Sequence, residues 1–183
     1  MIDVSGVTSS FDQVLSADER YEYRADRWWA EGPRLVFVGC NPSKITWKDS
    51  PRLDPTSANC EVIAQRDGYA GITMLNLWAL RETDPRAMRG HADPIGPGWA
   101  EAFDKAVRDV GFVVAAWGTA PLAAGTQVAR RRIAEVVGRL DAFGLDVHCV
   151  GQTLYGEPRH LSLRGVSRGA LPALQPFVGR TRP

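Results

Sequence analysis

The chain has 183 residues, enough for one domain that buries a core without needing disulfides or metals. Its formal net charge of +1 excludes a global electrostatic attraction to nucleic acid, so any contact with DNA or RNA would need a local basic patch. Its three cysteines lie far apart and form no CxxC pair, which argues against a zinc site or an iron–sulfur cluster.

The cellular location is predicted from the N-terminus, the apolar runs and the thiols. Residues 1–13 lack the basic and apolar segments of a signal peptide, and no apolar run approaches the roughly 20 residues of a membrane helix. Free thiols fit a reducing compartment. We therefore expect a cytoplasmic protein with no membrane partner, and the sequence indicates neither a metal nor another cofactor.

Apolar runs and turn residues predict strands that alternate with helices. The aromatic stretch 19–29 predicts an N-terminal strand or hairpin. Buried strands are then predicted over 35–38, 71–80, 113–117 and 147–150. Helices are predicted over 57–66, with Thr56 or Ser57 as the N-cap, over 98–110 and over 126–143. The predicted loops are 47–56, 81–97 and 156–163.

This order predicts an α/β fold, a three-layer α/β/α domain around a mostly parallel four-stranded sheet, with the N-terminal strand or hairpin added. In such sheets ligands bind beyond the carboxyl ends of the strands. Polar or small residues lie there on four predicted strands: Asn41, Asn76, Gly118 and His160. We therefore expect a pocket beside the turn Gly39-Cys40-Asn41-Pro42-Ser43.

Two asparagines are candidate ligand-binding residues. Asn41 can hold a water with its amide, although an Asx-turn or a cap is the more common role for an isolated motif of this kind. Asn76 lies inside an apolar run, where a buried amide needs partners. Its acceptor and donors suit the edge of a uracil-like base, and a bond to a neighbouring loop backbone is the equally open alternative.

His160 and two aspartates are candidates for proton chemistry. His160, after Arg159, can donate to an oxygen that gains charge as a bond breaks, although a lone histidine is more often a surface or capping residue. Asp54 and Asp84 each precede a proline, where aspartate usually initiates a turn. Either could instead act as a general base.

Aromatic and basic residues offer further candidates for ligand contacts. Trp47, Trp78 and Trp117 could stack on a base, although large aromatic residues are more often part of the core. The arginines at 130–132 could contact phosphates, but a basic stretch on a helix is usually a solvated face.

Four segments, in this order, resemble motifs of the uracil-DNA glycosylase superfamily, including its mismatch-specific thymine/uracil branch. They are 35–43, Leu75-Asn76 with the helix around Trp99 and Phe103, 113–118, and 159–163. In the first motif the mismatch-specific branch has Gly-x-Asn-Pro-Gly, and an acidic form has Asp where this chain has Asn41.

A more specific resemblance, over nearly the whole chain, is to a bacterial family known as domain of unknown function 1643. Its features here are the Asn-Pro-Ser turn, Asp54-Pro55-Thr56, the run from Asn76 to Pro85, a Trp-Gly pair and Pro-Arg-His. This resemblance implies no particular activity.

The glycosylase resemblance implies an N-glycosidase that cleaves a uracil-like or modified base from its sugar through an oxocarbenium-like state. Asn76 would hold the base, Asn41 would position the water and His160 would stabilise the leaving base. Because an amide cannot take a proton as a carboxylate can, activation of the water would be weak unless Asp54 or Asp84 helps. The remaining substrate-binding residues would be Gly39, Cys40, Pro42, Ser43, Trp78, Asp84, Trp117, Gly118 and Arg159.

The chain also departs from the glycosylase motifs. The last motif lacks both prolines, and most phosphate-binding serines are absent, so a nucleobase-containing ligand is better supported than DNA or single-stranded nucleic acid. The alternatives are a non-catalytic module that binds a nucleotide or modified base, and a different enzyme on the same scaffold. The sequence does not indicate an oligomeric state.

Overall fold

A mixed sheet organises the computed structural model, which describes residues 9–43, 54–163 and 166–179. The strands are β1 Ser10–Leu15, β2 Glu22–Trp28, β3 Arg34–Gly39, β4 Gly71–Asn76, β5 Phe112–Ala115, β6 Asp146–Cys149 and β7 Gln175–Pro176. The α-helices are α1 Pro55–Arg66, α2 Trp99–Val107 and α3 Thr126–Ala142.

The sheet has the order β1-β2-β4-β3-β5-β6-β7. Parallel ladders join β4 to β3, β3 to β5 and β5 to β6. Antiparallel ladders join β1 to β2, β2 to β4 and β6 to β7. The last residues of β3 and β4, Gly39 and Asn76, are paired in register, so these two strands end side by side.

Helices cover both faces of the sheet, and the central strands are therefore buried on both sides. In β3, Leu35 and Phe37 pack in one apolar cluster with Ile63 of α1. Val36 and Val38 alternate with them and belong to a second cluster, which includes Phe103 of α2 and several residues of α3. The period of two along β3 therefore separates α1 from α2 and α3.

The predicted α/β class is confirmed, while several details of the prediction are wrong. The sheet has seven strands rather than the predicted four with an added N-terminal strand or hairpin, and the short β7 has no clear signal because it is only two residues long. β4 ends at Asn76 instead of residue 80, and the predicted loop 81–97 contains a 3-10 helix, Pro85–Arg89. Most of the predicted loop 47–56, including Trp47, lies outside the described residues.

The start of α1 also differs from the prediction. Its N-cap is Asp54 rather than Thr56 or Ser57. The Asp54 carboxylate accepts hydrogen bonds from the backbone N–H groups of both residues, at 2.8 and 3.2 Å, and Pro55 occupies the first turn, where no N–H is needed. Within the described part of the chain, no helix combines the length and apolarity required to cross a membrane.

Candidate functional site

A cavity of about 360 Å³ lies where β3 and β4 end, next to the N-terminus of α1. This volume falls within the roughly 300–1,000 Å³ of ordinary small-molecule sites. The predicted site residues that line it are Gly39, Cys40, Asn41, Pro42, Ser43, Asp54, Asn76 and His160. The structure therefore brings most of the expected residues to one cavity at the sheet edge.

Asn76 contributes a buried amide to the cavity. The residue is only 8% exposed, and its side chain makes no hydrogen bond with any described residue. Its backbone carbonyl accepts a hydrogen bond of 2.8 Å from Nε1 of Trp99, which fixes the end of β4. The amide is accessible from the cavity, so its oxygen and its NH2 group can bind a partner that enters there.

Gly39 makes room for this amide. A Cβ at position 39 would lie 2.6 Å from Oδ1 of Asn76, which is closer than a van der Waals contact allows. The glycine at the end of β3 is therefore required by the position of the neighbouring side chain. It lets the Asn76 amide lie against the backbone of the turn that follows β3.

Asn41 is held by the protein itself. Its Nδ2 donates to the carbonyl of Glu82 at 2.5 Å and to that of Pro42 at 3.1 Å. The backbone N–H of Glu82 in turn donates to the Pro42 carbonyl at 3.1 Å. Asn41 thus joins the turn after β3 to the segment after β4, and its Oδ1 is the atom left to accept a hydrogen bond from a water or ligand.

His160 presents a hydrogen-bond donor to the cavity. Its Nδ1 accepts from the backbone N–H of Ser162 at 3.1 Å, so the neutral ring carries its proton on Nε2. Desolvation lowers the pKa of His160 below its usual value, and the charge of Asp54 opposes this only in part. The imidazole is therefore a neutral donor at physiological pH.

Gly118 determines where His160 lies. Its φ of 61° is in the left-handed region, and a Cβ there would lie 2.8 Å from Cβ of His160. Gly118 does not line the cavity, so its contribution is to let the His160 backbone pack closely against the turn after β5.

The two candidate aspartates are both capping residues. Asp54 lines the cavity, but its Oδ1 caps α1 and its Oδ2 accepts from Oγ of Ser57 at 2.7 Å. Asp84 caps the 3-10 helix Pro85–Arg89 and pairs with Arg86 at 2.7 Å. These contacts lower the pKa of Asp84, and its side chain does not line the cavity.

Two tryptophans and Arg159 lie elsewhere than expected. Trp78 and Trp117 are core residues, 1% and 0% exposed, and neither lines the cavity. The indole of Trp117 donates to Glu157 at 3.2 Å and packs edge-on against Phe177. Arg159 is exposed and donates from Nε to the Gln152 carbonyl at 3.4 Å. Large apolar area explains the burial of both indoles.

The basic stretch at 130–132 is not a uniform solvated face. Arg130 and Arg131 are exposed, whereas Arg132 is 3% exposed. The Arg132 Nε donates to the Leu77 carbonyl at 2.5 Å, and its guanidinium lies 3.9 Å from the ring centroid of Trp99. Arg132 therefore supports the core beneath the end of β4.

Cys40 is a cavity residue without nucleophilic character. The side chain is buried, and burial raises the pKa of its thiol to about 12. The thiolate is the reactive form of cysteine, so this residue acts as a small apolar wall. Within residues 9–43, 54–163 and 166–179, no group of three or more His, Cys, Asp or Glu side chains is arranged to hold a metal ion.

The sequence analysis missed the contribution of the N-terminal hairpin. Gln13 of β1 and Glu22 of β2 line the cavity, and Nε2 of Gln13 donates to Oε2 of Glu22 at 2.7 Å. Burial raises the pKa of Glu22 to about 7, although Arg81 and the bond from Gln13 both favour the charged form. The only sequence signal was the alternation of Glu22 with Tyr21 and Tyr23.

Comparisons with known proteins identify a family. The family model described as "Protein of unknown function (DUF1643)" matches residues 20–160, so the chain belongs to that family. The match covers β2 to β6 and ends at His160, and thus includes most of the cavity. Neither the curated proteins nor the solved structures yielded a match.

Proposed function

We propose that this member of the DUF1643 family is an N-glycosidase that hydrolyses the bond between a sugar and a uracil-like or modified nucleobase. The observation that carries the proposal is the buried side-chain amide of Asn76, which has no hydrogen-bond partner among the described residues and lines a cavity of about 360 Å³. A volume of this order accommodates a base with part of its sugar.

The amide of Asn76 matches the edge of a nucleobase. It offers one acceptor oxygen next to an NH2 donor. The imide edge of a uracil-like ring offers the complementary groups, an N–H donor next to a carbonyl acceptor. Binding such an edge would give the amide two hydrogen bonds that no described residue provides. A ligand without this donor–acceptor pair would leave the amide unpaired, so the site would discriminate strongly against it.

His160 supports the departure of the base. When the glycosidic bond breaks, its electron pair passes to the base, and the negative charge spreads to the ring oxygens. The Nε2–H of a neutral imidazole can donate to such an oxygen without transferring its proton first. Desolvation lowers the pKa of His160, so the group that donates is the neutral ring.

Asn41 supports the placement of the attacking water. Its Nδ2 is bound to the Glu82 carbonyl, which orients the amide and leaves Oδ1 to accept a hydrogen bond from water. Asn41 can therefore position the water but cannot remove its proton. Asp54 is a weak candidate for that step because both of its oxygens already accept hydrogen bonds at the start of α1.

The proposed ligand is the base-containing part of a nucleoside, nucleotide or nucleic acid. The net charge of +1 gives no general attraction to a polyanion, so a nucleoside or nucleotide is the simplest carrier and a DNA or RNA strand is the alternative carrier. The three cysteines are free and buried, which supports a cytoplasmic location.

A second candidate function is a module that binds a nucleotide or modified base without cleaving it. The specific observation that favours it is the bond between Asn41 and Glu82, because a side chain used to join two loops need not take part in chemistry. Both functions share the role of Asn76 and differ in the roles of Asn41 and His160.

Release of free base separates the two functions. Wild-type protein is incubated with nucleosides, nucleotides and oligonucleotides that carry a panel of uracil-like and modified bases, and free base is measured by mass spectrometry. The glycosidase predicts release from at least one substrate and none with Asn76→Ala. Tight binding without release from any substrate would refute the glycosidase and favour the binding module.

A further inference from the structure

We propose that Glu22 is the general base of this cavity and takes the proton of the attacking water. This inference rests on the proposed function and adds a catalytic residue from the N-terminal hairpin, outside all the segments that resemble glycosylase motifs. Glu22 lies on β2, on the antiparallel side of the sheet, whereas Asn41 and Asn76 follow the parallel strands β3 and β4.

Glu22 lines the cavity next to a β-bulge. The register of β1 and β2 runs from Val14 opposite Arg24 to Leu15 opposite Glu22, which leaves Tyr23 without a partner on β1. Tyr21 and Tyr23 pack into the core cluster that contains α2, whereas Glu22 lines the cavity. Glu22 alternates with the two tyrosines, so the period of two along the strand places its carboxyl on the cavity side, next to the bulge.

The partners of Glu22 position its carboxyl and leave one oxygen available. Nε2 of Gln13 donates to Oε2 at 2.7 Å, so this oxygen is held by the neighbouring strand. The backbone N–H of Glu22 donates to the Ala79 carbonyl at 2.9 Å, which fixes its backbone against the segment after β4. Oε1 makes no hydrogen bond with a described residue and is free to meet a water in the cavity.

Burial, opposed by a nearby charge and a hydrogen bond, brings the pKa of Glu22 close to neutrality. Burial raises the pKa to about 7, and the charge of Arg81 and the hydrogen bond from Gln13 limit the rise. The other titratable groups that line the same cavity are Cys40, Asp54, Glu82 and His160. A base with a pKa near the working pH combines a useful ionised fraction with a strong tendency to accept a proton.

The proposed step balances with water as the only co-reactant. One proton of the water passes to Oε1 of Glu22 as the water oxygen forms a bond to the anomeric carbon. The bond from that carbon to the base nitrogen breaks, and its electron pair leaves with the base. The anionic base accepts a hydrogen bond from His160 and takes up a proton, and Glu22 gives up the proton it gained, either to the base directly or to solvent, which restores the carboxylate.

The test is the pH dependence of base release by wild type and three variants. Only ionised Glu22 accepts a proton, so kcat of the wild type should rise with pH through about 7 and then level off. Glu22→Gln should lower kcat about 10²–10⁴-fold and remove this rise while leaving ligand affinity within a few-fold. Glu31→Gln makes the same chemical change at an exposed position and should retain the wild-type profile.

Gln13→Leu adds a readout that a purely structural carboxyl would not give. It removes the hydrogen bond that favours the ionised form of Glu22, so the pH at which kcat is half-maximal should move upward. Circular dichroism and thermal melting establish that each variant is folded. If Glu22→Gln fails to fold, Glu22→Asp takes its place, and a lowered kcat with an altered pH profile is expected.

The outcomes separate the two proposals. Base release by the wild type with an unchanged rate and pH profile in Glu22→Gln would overturn the role of Glu22 and leave the glycosidase intact. Absence of base release by the wild type from every substrate would overturn the glycosidase and, with it, the role of Glu22.

Discussion

Asn76 and Asn59 form a natural pair for separating ligand binding from stability. Both are buried asparagines, with exposures of 8% and 6%. Asn59 lies on α1, and its Nδ2 donates to the Leu161 carbonyl at 2.7 Å, whereas the Asn76 amide makes no hydrogen bond with a described residue. Replacement by alanine should therefore affect the two positions differently.

The magnitudes follow from the hydrogen bonds. Asn59→Ala leaves a buried carbonyl without its donor, which costs about 1–3 kcal/mol of unfolding free energy. For a chain of 183 residues this lowers Tm by about 2–12 °C. Asn76→Ala removes an amide that is already unpaired, so we expect a change of less than about 0.5 kcal/mol, or slight stabilisation.

Urea unfolding and ligand titration of both variants check this prediction. Asn59→Ala should lose stability and retain affinity for the base-containing ligand. Asn76→Ala should retain stability and lose at least about tenfold in affinity, which corresponds to about 1.4 kcal/mol. Equal destabilisation of the two variants would show that Asn76 is a structural residue and would refute the reasoning about its unpaired amide.

Three further outcomes are expected. Asn41→Ala should cost about 1 kcal/mol of unfolding free energy, because it removes the hydrogen bond to the Glu82 carbonyl. It should leave ligand affinity unchanged, and lost affinity with unchanged stability would contradict this expectation. Gly118→Ala should slow base release, because φ is 61° and the new Cβ would displace His160, and unchanged kinetics would argue against a role for this contact. Cys40 has a thiol pKa of about 12 and should resist iodoacetamide at pH 8 until the protein is unfolded. Alkylation is measured by mass spectrometry, and rapid alkylation of the native protein would contradict the burial of this thiol.

Strong local patterns explain which elements the sequence predicted. The apolar run at 35–38 lies within β3, and the predicted helix at 126–143 differs from α3 by one residue. Each has a clear period and a glycine or proline nearby, so neighbouring residues suffice to define it. We expected Asn41 and Asn76 at one sheet edge because ligands generally bind beyond the carboxyl ends of parallel strands.

The missed features depend on contacts between distant residues. Glu22 reaches the cavity through the pairing of β1 and β2 with the central strands, and the residues of β2 alone do not show which structure its polar face meets. Asp54 looked like a catalytic candidate because capping and catalysis use the same carboxylate chemistry. Trp78 and Trp117 are core residues, as large aromatic residues usually are, and their positions next to the polar candidates did not distinguish this role from stacking on a base.

The side-chain amide of Asn76 offers the most direct measurement of the central claim. Its two N–H resonances in a ¹⁵N–¹H NMR spectrum can be assigned by their absence in Asn76→Ala. A base-containing ligand with an imide edge should shift both resonances downfield as new hydrogen bonds form, in parallel with saturation of the cavity. Binding that shifts other resonances but leaves those of the Asn76 side chain unchanged would contradict the account.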